Sequence, residues 1–296
     1  MKQNRQHIIL KGPSSEKSLW QKKEPDDQSD PAVHEVFASE KFQDILFLGA
    51  SIRGRSHAHL GKWREDAFCF DRTGSFLMMA AADGVGACPL SRIGAKIACE
   101  TALESVKKSL EDSEPLLSAD FPQIKSEIAE YVKNGVKNAV RALHTEAEKR
   151  KTETKQLSTT LMLALYSRMG TSHLLGTFQV GDGVVSIRKK TGEVSVFGKP
   201  DFGNYAGQSL YLTSAEISDF PDSRIRISLI PDLECMAVMT DGISDDFFPL
   251  HKGLPAFFEE MDILLQSRQP LADLKQWIRY EKTGSHDDRT LLLLSV

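Results

Sequence analysis

Cysteine is scarce in this chain of 296 residues: only Cys69, Cys88, Cys99 and Cys235 occur, widely scattered and without a Cys-x-x-Cys pair. That spacing excludes a disulfide-stapled scaffold and a thiolate zinc site, and it fits a reducing cytoplasm. Long apolar runs are missing as well. No stretch approaches the roughly 20 apolar residues of a membrane-spanning helix, and the opening segment offers only Ile8–Leu10, too little for a signal-peptide core. Nor is there an excess of positive charge. A net charge of −4 leaves no basic field for nucleic acid or an anionic membrane. What is present is 41% hydrophobic and 26% charged residues, an ordinary globular balance with room for one large domain.

Residues 1–42 are polar and rich in Lys, Asp, Ser and Pro, with Trp20 the main large apolar residue, and they read as a flexible extension. The folded domain is expected over 43–296. Apolar runs predict strands at Ile45–Ile52, Ala67–Phe70, Phe76–Ala82, Thr159–Tyr166, His173–Val180, Val184–Arg188, Val194–Phe197, Arg224–Ile230, Cys235–Thr240 and Thr290–Val296. Helical spacing marks Ser91–Leu110, Phe121–Lys151 and a region across Leu254–Arg279. Runs of strands joined by hairpin-sized turns and interrupted by blocks of helices argue for an α+β fold rather than alternating βαβ units. Two stacked antiparallel sheets with helices on the outer faces accommodate the count.

Five short acidic segments stand along the chain, most of them following or ending an apolar run: Glu65-Asp66, Asp83-Gly84, Asp182-Gly183, Asp241-Gly242-Ile243-Ser244-Asp245 and Asp287-Asp288. A single Asp-Gly after a strand is an ordinary turn, because Gly accepts positive φ and Asp bonds its own backbone. Three of them at the ends of strongly apolar strands are another matter. Carboxylates gathered beside a core repel one another unless a cation compensates, and oxygen donors without histidine or thiolate suit a hard divalent ion.

The ordered series Glu65-Asp66-Ala67, Ala82-Asp83-Gly84-Val85-Gly86, Ser158-Thr159-Thr160, Val180-Gly181-Asp182, Thr240-Asp241-Gly242-Ile243-Ser244-Asp245 and Asp287-Asp288-Arg289-Thr290 resembles the type 2C family of metal-dependent serine/threonine protein phosphatases. Gly54-x-x-His57 and Gly203–Ser209 look like its bacterial branch. The resemblance implies a helix-flanked two-sheet sandwich with two metals, Mn²⁺ or Mg²⁺, at one end. It implies that Asp83 bridges the metals, that the Gly84 carbonyl completes one site, and that Asp241 and Asp287 hold the other metal. Glu65 and Asp66 are implied to act mainly through water, and Asp182 and Asp245, with Asp241, to form a third, weaker site. It also implies the catalytic role of Asp83, Asp241 and Asp287.

That chemistry has a physical basis. The oxygens of a phosphate monoester are anionic, and two metals neutralise them while making a bound water acidic enough to attack near neutral pH. No Cys-x₅-Arg loop is present for thiolate attack, and Asp83-Gly84-Val85 lacks the Asp-x-Asp of aspartyl-phosphate enzymes. Two departures from the family pattern stand out. Val85 occupies the place where many members have His, and Gly61 that of the Arg that grips substrate phosphate. His57, which recurs in the branch pattern, is the first replacement considered for phosphate binding, beside Arg64, Arg55 and Lys62. The implied partners are a phosphorylated protein substrate and a cognate serine/threonine kinase. Two other readings stand beside this one: a regulatory module of the same fold with impaired chemistry, and a phosphatase for small molecules.

Overall fold

The computed structural model describes residues 20–112, 119–201, 210–214, 217 and 222–296. In chain order its strands are β1 (Glu35–Phe42), β2 (Ile45–Ile52), β3 (Ala67–Thr73), β4 (Phe76–Ala82), β5 (Leu161–Met169), β6 (Ser172–Val180), β7 (Val184–Lys189), β8 (Val194–Val196), β9 (Ile225–Pro231), β10 (Leu233–Met239) and β11 (Arg289–Ser295). The helices are α1 (Arg55–Leu60), α2 (Ser91–Glu111), α3 (Phe121–Arg150), α4 (Asp241–Ser244), α5 (Leu250–Leu265) and α6 (Pro270–Trp277). One sheet has the order β1-β2-β11-β10-β7-β8 and the other β3-β4-β5-β6-β9, all neighbours antiparallel.

Strands buried on both faces carry uninterrupted apolar runs, yet their side chains still alternate. In β4, Leu77, Met79 and Ala81 enter the core between the sheets, while Met78, Ala80 and Ala82 meet α2 and α3. In β10 and β11, Met236, Val238, Leu292 and Leu294 face the other sheet, whereas Ala237, Met239, Leu291 and Leu293 pack against α5 and α6. Three apolar layers therefore separate four layers of structure, as expected for an αββα sandwich. The α3 helix starts on Asp120, whose side chain accepts from the Gln123 amide, with Pro in the first turn, and ends on Lys151 in the left-handed conformation. No described helix is long and apolar enough to cross a membrane.

The register gathers chain ends at one rim. Ala81 pairs with Met162 and Leu161 with Val180, so the ends of β4 and β6 lie beside the start of β5. Met239 pairs with Leu291 and Arg289 with Ile52, which brings the end of β10 to the start of β11 and the end of β2.

The start of the folded body differs from the expectation of an extension reaching residue 42. Glu35–Phe42 is an edge strand, with Val36, Phe37 and Ala38 half buried in front of β2. Ahead of it, residues 20–34 lie as a strap across α1 and the loop 61–66. The Trp20 ring packs on His59 and His286 at 5.2 and 4.7 Å, and the Trp63 indole donates to the Asp27 carbonyl at 2.6 Å. Asp30 receives both arms of Arg150 at 2.7 and 2.9 Å, and Asp27 receives Arg92 at 3.0 Å. Gly61 sits under this strap with φ +67°, its carbonyl accepting from the Asp26 amide at 3.1 Å. A Cβ there would stand 3.2 Å from Asp26 Oδ2, so the backbone conformation and the strap both favour glycine. Residues 1–19 lie outside the described residues.

Candidate metal centre

Asp83 leaves β4 at the rim, and its backbone is fastened from both sides. Its amide donates to Thr160 Oγ1 at 2.8 Å, while its carbonyl accepts from Thr159 Oγ1 and from the Thr160 amide at 2.8 and 2.9 Å. Gly84 bridges Thr159, and the Val85 amide donates to the Ser158 carbonyl at 3.1 Å. The Ser-Thr-Thr motif thus acts as a splint for the Asp83-Gly84 turn, leaving the carboxyl group free of that work.

Asp66, 4% exposed, lies beneath. Its Oδ2 accepts from Thr240 Oγ1 and Thr290 Oγ1 at 2.8 and 2.6 Å, hydroxyls delivered by the end of β10 and the start of β11. Its carboxyl group adjoins that of Asp83. Asp241 opens α4, and the Gly242 that follows it packs on the Asp288 backbone, where a Cβ would stand 1.9 Å from the Asp288 carbonyl oxygen. Only glycine permits that approach. The connection from α6 to β11 supplies Asp287, exposed at the rim, and Asp288, 1% exposed.

Asp288 is the organiser that the sequence reading did not single out. Its Oδ1 accepts from the Gly54 amide at 2.6 Å and lies 2.8 Å from His57 Nδ1; its Oδ2 accepts from the amides of Glu65 and Asp66 at 2.5 and 3.3 Å. One carboxylate therefore joins the starts of α1, β3 and β11. Ligand atoms of His57, Asp287 and Asp288 lie within 4.8 Å of one another.

The phosphate-binding candidates occupy distinct positions. His57 is 7% exposed, held by Asp288 and 3.6 Å from Glu65 Oε2. Burial opposes its protonation, but the hydrogen bond to Asp288 and the charges of Asp288, Glu65 and Asp287 prevail and push it up to about 9. Arg64, 9% exposed, donates to Ser51 Oγ and to the Val33 carbonyl. Arg55 pairs with Glu281 at 2.6 Å on the surface. Lys62 donates to the Gly86 carbonyl at 2.9 Å and reaches Glu65 at 3.5 Å, with a side chain 40% exposed.

The electrostatics describe a concentration of negative charge. Burial, then the charges of Asp241, Asp66 and Asp287, push the Asp83 carboxyl well above the usual carboxylate range. Burial, then Asp182, Asp287, Asp66 and Asp245, do the same to Asp241. Asp66 is raised to about 7 by burial and by Asp288, against the opposing hydrogen bonds from Thr290 and Thr240. Asp287 and Asp245 reach solvent at their tips, yet the surrounding rim desolvates both and raises them, with Asp288 and Asp182 adding to the effect; Glu65 rises through burial, with His57 and Lys62 pulling the other way. Carboxyl groups that raise one another in this manner are ionised together only beside a cation. Their all-oxygen chemistry fits a hard divalent ion rather than a soft one. Asp66, Asp83, Asp241, Asp245 and Asp287 thus form one electrostatic unit that also feels Asp182, and Glu65 flanks it at the Asp288 clamp. Gly203–Ser209, matched above to the bacterial branch, lies outside the described residues.

A family model described as Protein phosphatase 2C matches residues 53–279. Among solved structures, a bacterial serine phosphatase aligns with a TM-score of 0.53 and 14% identity, covering 86% of this chain and 98% of that one. Serine-threonine phosphatase 2C from Toxoplasma gondii aligns at 0.53 with 13% identity over 88% and 98% of the two chains. A C. elegans sex determining protein gives 0.56 with 13% identity over 86% and 66%. No curated protein matches. At these identities the structural likeness establishes the fold alone.

Proposed function

Because this chain belongs to the protein phosphatase 2C family, we propose that it is a metal-dependent phosphatase that hydrolyses phosphoserine and phosphothreonine in proteins, opposing a serine/threonine kinase. The observation that carries this reading is the convergence of Asp66, Asp83, Asp241 and Asp287 on one rim, close enough that Asp66, Asp241 and Asp287 raise Asp83 and that Asp287 and Asp66 raise Asp241. Asp83, with the Gly84 carbonyl, and Asp241 with Asp287 would hold two Mn²⁺ or Mg²⁺ ions, Asp182 and Asp245 a third, and Glu65 and Asp66 would act through water. Once bound, such ions neutralise phosphoryl oxygens and acidify water for attack. The chain's own residues then have separable duties. The Thr159 and Thr160 hydroxyls hold the Asp83 backbone, and those of Thr240 and Thr290 orient Asp66. His57, cationic through its carboxylate neighbours, orients Asp288 and Glu65 rather than reaching outward.

Lys62 is the cation best suited to meet the substrate phosphate, since it reaches the acidic cluster from a partly exposed position. Lys62→Ala is expected to raise KM for a phosphopeptide about tenfold with a smaller change in kcat, the mark of lost substrate binding. An unchanged KM would pass the role to Arg55, the other partly exposed candidate. The four free cysteines support action in a reducing cytoplasm.

The test of the function is phosphate release from a phosphothreonine peptide by purified protein, first with chelator and then with Mn²⁺ or Mg²⁺ added. Metal-restored release supports the phosphatase. Metal binding without release on phosphopeptides or nucleotides favours a regulatory module, for which the departures at Val85 and Gly61 speak, and release from nucleotides alone favours a small-molecule phosphatase.

A further inference from the structure

Asp246 is adjacent to the acidic cluster in sequence yet spends its carboxyl group elsewhere. It lies on the 3-10 turn Asp245–Phe247 that follows α4 and is therefore covalently joined to the segment bearing Asp241 and Asp245. Its Oδ2 accepts from Tyr280 Oη and from Ser285 Oγ, both at 2.6 Å. Both donors belong to the connection between α6 and β11, the segment that ends in Asp287. Arg289 closes the assembly: Nη2 donates to Ser285 Oγ at 2.7 Å and lies 3.7 Å from Asp246 Oδ2, while Nη1 donates to the carbonyls of Ile278 and Tyr280 at 3.1 and 2.7 Å. The guanidinium also stacks over the Tyr280 ring at 3.9 Å. Lys282 adds a bond from Nζ to the Asp246 carbonyl oxygen and lies 3.7 Å from Asp246 Oδ1. The Asp246 and Arg289 side chains are each 9% exposed.

We infer that Asp246 is a positioning residue that sets the separation of the Asp241 and Asp287 carboxylates, and through it the affinity of the site for a divalent cation, without touching the ion. The inference rests on the metal-dependent reading above. Its physical reason is that Asp241 and Asp287 come from segments with no strand pairing of their own. Asp241 opens the short helix α4 and Asp287 ends an irregular connection. The Thr240–Thr290 pairing and the contact of Gly242 with the Asp288 backbone bring the two segments together, but neither residue lies in a strand, so side-chain ties complete their spacing. The Asp246 carboxylate ties one to the other with short, charge-assisted bonds, and groups that hold metal ligands in this way typically govern affinity by ten- to a hundredfold.

The experiment is isothermal titration of Mn²⁺ into wild type, Asp246→Ala, Asp246→Asn, Tyr280→Phe and Glu260→Gln, all checked for fold by circular dichroism and none assayed by turnover. Asp246→Ala is expected to weaken Mn²⁺ binding about tenfold or more. Asp246→Asn retains an oxygen that can accept from Tyr280 and Ser285, and so is expected to stay within about threefold of wild type. Tyr280→Phe, lacking one of the bonds, is expected to fall between Asp246→Asn and Asp246→Ala and serves if Asp246→Ala does not fold. Glu260→Gln weakens the Trp277 bond in the same helical layer while keeping the Tyr280 and Ser285 bonds to Asp246, and should leave Mn²⁺ affinity unchanged. Wild-type affinity in Asp246→Ala or Tyr280→Phe would overturn the inference alone. Equal weakening in the Asn and Ala variants would overturn it too, by showing that charge rather than position matters. Absence of Mn²⁺ binding to wild type would overturn the metal-dependent reading itself and this inference with it.

Discussion

Asp83→Asn is expected to reduce metal-dependent phosphopeptide hydrolysis by about 10³-fold, equivalent to about 4 kcal/mol in the barrier, while the fold is retained. The two halves of that expectation have separate causes. Loss of activity follows from the position of Asp83 at the centre of the cluster, where it interacts with Asp66, Asp241 and Asp287. Retention of the fold follows from the splint: Thr159 and Thr160 hold the Asp83 amide and carbonyl, not its carboxyl group. A further sign is informative. Because the Asp83 carboxyl is repelled by its neighbours, removing it should raise the melting temperature of the metal-free protein by a few degrees and abolish most of the extra stability that Mn²⁺ confers on wild type. Steady-state hydrolysis and thermal melts with and without Mn²⁺ check all of this. Unaltered turnover would remove the two-metal mechanism.

Asp288→Ala is expected to be the most destabilising substitution at this rim, by roughly 3–5 kcal/mol, although its neighbour Asp287→Ala should change metal-free stability little. Asp288 is buried and accepts from three backbone amides besides meeting His57. Truncation leaves those amides and a cationic imidazole without their acceptor, and buried donors left unpaired carry the full cost of desolvation. Asp287 is exposed, its main hydrogen bond being a local one from the Asp288 amide at 2.8 Å. Urea denaturation of both variants in chelator distinguishes them; equal midpoints would refute the clamp.

Much of the architecture was legible because strands buried on both faces advertise themselves as apolar runs, and ten of the predicted strands correspond to β2–β11. The edge strand β1 was not legible for the converse reason. With one face toward solvent, Glu35–Phe42 carries Glu35, Ser39, Glu40 and Lys41 among its apolar residues and blends into the polar segment before it. The helical region expected across Leu254–Arg279 consists of two helices, divided at 266–269, with α6 beginning on Pro270. The strap of residues 20–34 is held by isolated Asp–Arg pairs and ring contacts, which leave no periodic trace in the chain.

The sequence by itself determined the αββα sandwich and the family, because alternating burial and six ordered motifs are properties of local spacing. It also delivered Asp66, Asp83, Asp241, Asp245 and Asp287 to one rim, since carboxylates that end or precede apolar strands inherit the positions of those strands. Only the tertiary structure decided the division of labour among them. Asp287 and Asp288 are chemically identical neighbours, yet one is exposed and the other is buried as the acceptor for Gly54, Glu65 and Asp66. His57 and Arg64 carry charge suited to phosphate, yet burial against Asp288 and Ser51 commits both to the interior. Such assignments depend on partners more than 200 residues away in the chain for Asp288, where direction and burial, rather than residue type, set the role.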